Sequence, residues 1–193
     1  MDAVQFFLDA YSVVRRQIGR LDRYPPDVWR ARPQNLNSIA WLVWHLARFE
    51  DVAVNRLFDD KTQVLDDPVA CWPQRMRVPL RDVGVGMTDG EVGDLTAAID
   101  IDALRAYSAT VGERTRLVAG TLPPAAWGEI VNRERLQLVF FAEGALRPEA
   151  SWVERWVQDW TRGRFLSYFA LLHNTGHMYD KSIVLGLIGH PGR

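Results

Sequence analysis

A single cysteine, Cys71, is all the thiol that this 193-residue chain contains, which excludes an intrachain disulfide and any cysteine-rich zinc site. A bound metal would have to be held by nitrogen and oxygen. Wholly apolar runs are also short, far below the roughly 18 residues that a membrane-spanning helix needs. No transmembrane segment is expected. The opening stretch MDAVQFFLDAYSVVRRQIGRLD has an acid at its second position and lacks the basic start and unbroken apolar core of a secretory signal, so the sequence predicts a cytoplasmic protein. An excess of one charge is missing as well. The 23 basic and 24 acidic residues are interspersed and leave a formal net charge of −1, with no basic stripe to track a phosphate backbone. Nucleic acid is not an expected partner. Ser12, Ser38 and Ser151 are not set in Gly-x-Ser-x-Gly, and no glycine-rich phosphate loop follows a strand. Nucleophilic hydrolases and nucleotide binders therefore lack their motifs here.

What remains is ordinary globular material, 48% hydrophobic and 24% charged, and at this length one domain over residues 1–193 is the simplest expectation. Four segments carry apolar residues at helical spacing. The first, residues 3 to 22, puts Phe6, Phe7, Ala10, Val13, Val14 and Ile18 on one side and closes at Tyr24-Pro25-Pro26. The second opens at Asn37 or Ser38 as N-cap and runs to about residue 58, with Ile39, Leu42, Leu46, Phe49 and Ala53 as its stripe. Residues 59 to 87, broken by Pro68, Pro73 and Pro79, form a long crossover. Thr88 and Glu91 have the spacing of a capping box, which predicts a short helix to about residue 98. The third long helix runs from about 101 to 119, with Leu104, Tyr107, Val111 and Val118 inward and Gly120 at its end. Residues 120 to 160 are ambiguous, because LQLVFFA at 136 to 142 fits a buried strand or a helical turn. Trp152, Trp156 and Trp160 recur there every four residues, a spacing that suits the sealing of a core or an interface better than a ligand site. The last helix begins near Thr161 and ends at Gly189, with Phe165, Phe169, Leu172, Tyr179, Ile183 and Leu187 as its buried stripe.

That last helix contains LLHNTGHMYD. Residues four apart on an α-helix differ by about 40°, so His173 and His177 share a face, at the flank of the apolar stripe. His45 flanks the stripe of the second helix in the same way. Neutral imidazole is a ligand for divalent transition metals, and three imidazoles leave at least one coordination position open. Burying three of them for no shared purpose would be costly. Asn174 follows His173, so the His-Glu-x-x-His pattern of metalloproteases is absent. Asp180 either orients a ligand histidine or pairs with a surface cation. Glu50 and Asp51 read as a solvated or inter-helix charge pair, His190 as an exposed turn residue. Gly176 weakens its helix and would be justified if bare backbone let another helix or a ligand come close to the metal.

A helix bearing WHLAR, a long crossover and a last helix bearing His-x-x-x-His together resemble the DinB/YfiT-like family of metal-dependent proteins. The resemblance implies an all-α four-helix bundle with a long crossover between helices 2 and 3. It also implies a divalent metal, commonly zinc or nickel, on His45, His173 and His177, and frequent dimerisation. Some relatives of this family are S-transferases or isomerases that use a low-molecular-weight thiol such as mycothiol or bacillithiol. The expectation is a metal-dependent enzyme acting on a small molecule, a thiol S-transferase foremost. A metal-dependent hydrolase and a non-catalytic metal-stabilised binding module are the alternatives. The eight tryptophans, generous for one small core, suggest a homodimer interface.

Overall fold

The computed structural model describes residues 2–190. Helix α1, Ala3–Gly19, is capped by Asp2, whose carboxylate accepts from the Gln5 amide. Its inward residues are Phe7, Tyr11, Val14 and Ile18. Phe6 and Val13 face outward, which corrects the broader stripe expected from the sequence. A tight 3-10 turn over Arg20–Arg23 and the short α2, Pro26–Arg30, lead on to α3, Ile39–Asp51. Ser38 is its N-cap, accepting from Trp41. α3 is buried on every side and continues as a π-helical stretch over Val52–Phe58. An all-round buried helix belongs at the centre of the packing rather than at its surface.

The crossover carries the short α4, Trp72–Met76, before α5, Asp89–Ala98. The capping box of Thr88 and Glu91 forms as its spacing predicts. α6, Ile101–Thr121, starts on an Asp100 cap and runs straight through Gly120, so that glycine does not end the helix. LQLVFFA is helical: α7, Arg133–Gln137, passes into a π-helical turn over Leu138–Ala142. α8, Trp152–Trp156, follows, and α9, Arg162–Ser167, begins on a Thr161 cap. A π-helical turn over Tyr168–Leu172 joins α9 to α10, His173–Leu187. No β-strand is present among the described residues; Ile130 and Thr161 form an isolated antiparallel bridge.

The fold is all-α. Its long rods close a ring, with α3 against α6 and α10, and α1 against the same two. A π-helical turn holds one residue more than an α-turn, and here it resets the inward face of the last helix. Phe165 and Phe169 are buried as expected, but beyond the turn the inward residues are Asn174, Met178, Val184 and Leu185. Leu172, Tyr179, Ile183 and Leu187 are therefore exposed, the opposite of their expected place.

Of the two places the sequence allowed the acids at the end of α3, the solvated one is excluded and the inter-helix one holds, because both are fully buried. Asp51 accepts from the Val64 and Leu65 amides, from Asn55 and from the Tyr107 hydroxyl. One turn back, Arg48 donates to Gln63 and to the Arg81 carbonyl. Burying such groups is tolerable only with hydrogen-bond partners of this kind. Together they lash both ends of the irregular crossover to α3. Glu50 points the other way. It accepts from Tyr11 on α1, Thr115 on α6 and Asn174 on α10, joining α3 to the other three long rods through one carboxylate.

Candidate metal centre

His45 projects from the middle of α3, and α10 brings His173 and His177 to meet it. Ring centroids are 5.0 Å apart for His45 and His173, 5.1 Å for His45 and His177, and 4.7 Å for His173 and His177. Each residue offers one ring nitrogen such that all three lie within 4.8 Å of one another. The sequence-predicted triad is thus brought together, close enough for the nitrogens to converge on one ion.

The outer nitrogens are fixed in two of the three cases. His45 Nδ1 donates to the Val83 carbonyl at the end of the crossover, and His177 Nδ1 donates to Asp180 Oδ2 at 2.7 Å. In both rings the proton is held on Nδ1, which leaves Nε2 with its lone pair free. Of the two roles open to Asp180, the structure shows the orienting one. His173 differs: its Nδ1 is buried and has no hydrogen-bond partner. A buried polar atom left unpaired is costly unless something else satisfies it, and a cation shared with the other two rings would do so.

The surroundings hold His45 and His173 neutral. Burial, and then the proximity of His177, push His45 down to about 3. Burial, and then the other two imidazoles, take His173 well below the usual histidine range. Neutral imidazole is the form that ligates. Much of this desolvation is aromatic. Trp41 stacks on His45 at 4.6 Å, Phe49 meets both His45 and His173 edge-on at 5.1 Å, and Phe169 packs against His173. Phe49 was legible as core from its helical spacing. Val83 and Trp41 were not linked to the site by the sequence, since a carbonyl 38 residues away leaves no motif.

Other expected features settle differently. His190 is half-buried, packed edge-on against Tyr24 at 5.0 Å, and takes no part in the cluster. Gly176 is exposed, and a Cβ there would meet nothing within 4 Å, so no helix uses its bare backbone to come close. Among the tryptophans, Trp160 seals a core at 3% exposure, whereas Trp152 and Trp156 remain about half exposed. Trp29, Trp41, Trp44 and Trp72 are buried too. Most of the chain's tryptophan is thus spent on its own interior, which weakens the count as an argument for a dimer. No helix is long and apolar enough to cross a membrane among the described residues.

Comparison with known proteins bears on the fold and the site together. The family model of the DinB superfamily matches residues 12–179, a span that contains all three histidines. No curated protein matches the sequence. Among solved structures, a conserved protein from Enterococcus faecalis is similar, with a TM-score of 0.65 at 16% identity over 96% of this chain and 99% of that one. At that identity the likeness speaks for the fold alone.

Proposed function

This chain belongs to the DinB superfamily, and from that premise we propose that it is a metal-dependent enzyme. In this reading His45, His173 and His177 hold a divalent ion, zinc or nickel, and a low-molecular-weight thiol is transferred to an electrophilic small molecule. The observation that carries the reading is the convergence of three imidazole nitrogens within 4.8 Å. The buried, unpartnered Nδ1 of His173 fits the same ion. Bound there, a divalent cation favours thiolate over thiol and so supplies a nucleophile at neutral pH.

The chain's own residues do the rest. Val83 and Asp180 keep the His45 and His177 protons on Nδ1 and aim the rings inward. Trp41, Phe49 and Phe169 keep water off the inner side of the cluster. His173 and His177 are only partly buried, so the α10 side is where a small molecule can approach.

The test is metal analysis of untagged protein, followed by incubation of the metal-loaded form with a chromogenic electrophile, with and without a thiol. Thiol-dependent turnover that is lost on chelation is expected. Turnover without thiol would replace transfer by hydrolysis. Stoichiometric metal with no turnover on either substrate would leave a metal-stabilised binding module.

A further inference from the structure

On the other side of α10 from the histidines lies a cavity of about 530 Å³, walled by the C-terminal end of α1, the turn that follows it, and the outer part of α10. Three cations line it: Arg20 and Arg23 from the turn, and Lys181 from α10. No carboxylate is among its lining residues. None of the three cations forms a salt bridge among the described residues, whereas half of the other arginines described do. Gln17 and Ser182 add polar groups to the wall, and Leu21 and Met178 give it an apolar floor.

Basic residues after a helix C-terminus have an ordinary explanation, since they offset the negative end of the helix dipole. That covers Arg20 and Arg23. It does not cover Lys181, which sits in the interior of α10 and is one of only two lysines in the chain. Its ammonium is partly desolvated, and that burial, followed by repulsion from Arg23, lowers its pKa. Gathering like charges around a cavity costs energy that a bound anion returns.

We propose that this cavity is a binding site for a phosphate monoester, separate from the histidine cluster. The planar forks of Arg20 and Arg23 match phosphoryl oxygens, and Lys181 supplies a point charge on the opposite wall. The volume exceeds what a lone phosphate needs and falls within the range of small-molecule sites. Leu21 and Met178 are placed to take the organic portion of the ester.

Calorimetric titration of the full chain, stripped of metal by a chelator, with phenyl phosphate tests this. Saturable binding is expected, weakened about tenfold or more in Lys181→Gln and in Arg23→Gln and unchanged in His45→Ala. Inorganic phosphate should bind more weakly than the ester, and phenol not at all. Anionic vesicles carrying phosphatidic acid should compete no better than inorganic phosphate; stronger competition would move the ligand from a free ester to a lipid headgroup and overturn the proposal. Circular dichroism confirms that each variant is folded. Absence of binding to folded wild type at millimolar ester, or equal binding in wild type and both cation variants, would also overturn it.

Discussion

His45 and Val83 are joined by a hydrogen bond from the imidazole Nδ1 to the backbone carbonyl. Their partnership belongs to a series along α3, in which His45, Arg48 and Asp51 fall three residues apart and each bonds to the crossover. The face of α3 that secures the irregular chain therefore also orients a candidate ligand. Crossover and site are built from the same row of side chains.

Single replacement of His45, His173 or His177 by Ala should strip most of the metal, because two imidazoles lose both a bond and the closed geometry. His190→Ala should leave metal content unchanged, since that ring packs on Tyr24 instead. Helical circular dichroism should stay near wild type, the rods being held by their apolar faces. Equal metal in wild type and all three ligand variants after controlled reloading would sink the shared site.

Asp180→Ala removes the acceptor that holds His177 Nδ1. Loss of such an outer partner typically weakens metal binding by about 10- to 100-fold without abolishing it. Competition with a chromophoric chelator measures this directly. An unchanged affinity would mean that the hydrogen bond at the surface of α10 has no bearing on the ring.

Acid should destabilise the metal-free protein in a defined window. His45 stays neutral in the fold down to about 3, whereas the unfolded chain takes up that proton below about 6.5. The unfolded state binds more protons between those values, so the contribution is fully present above about 6.5 and is lost as pH falls toward about 3. His173 shifts in the same direction. Urea midpoints of the metal-free protein should fall from neutral pH to about pH 5. His45→Phe should flatten part of that slope, and a wild-type midpoint that does not move would contradict the prediction.

Tyr11→Phe leaves Glu50 with Thr115 and Asn174 as its remaining donors. A buried acceptor deprived of one partner costs about 1–3 kcal/mol, to be read from denaturant unfolding. No change would show that water replaces the hydroxyl.

Gly176→Ala should stabilise the protein by up to about 1 kcal/mol, the propensity gap between the two residues in a helix interior. Nothing stands where the new methyl would go. Metal content should not change. A loss of stability would mean that something approaches this part of α10 in solution.

The histidine triad was legible because rotation about a helix is fixed by geometry, so His173 and His177 had to share a face. The Thr88 capping box was legible for the same reason, being a contact between residues close in sequence. The buried stripe of α10 was not, because continuous α-helical counting runs through Tyr168–Leu172 without registering the wider turn there. Glu50 and Asp51 stayed ambiguous between solvent and an inter-helix place because charge predicts solvent, and only partners distant in sequence make their burial tolerable. Gly120 was read as a stop, yet the backbone of α6 continues past it to Thr121.

The turn at Tyr168–Leu172 has one more consequence. It works as a phase shifter between two helices with different duties, letting α9 keep its aromatic residues in one core while α10 aims its imidazoles at α3. Winding the full sequence as a plain α-helix through that stretch would swing everything downstream by about 100°, more than a quarter turn, whereas deleting one residue there would remove the wide turn and leave the downstream faces in place. Alignments of relatives that treat residues 162 to 187 as unbroken helix will pair the wrong positions beyond the turn. The histidines are then the landmark from which the true register has to be counted.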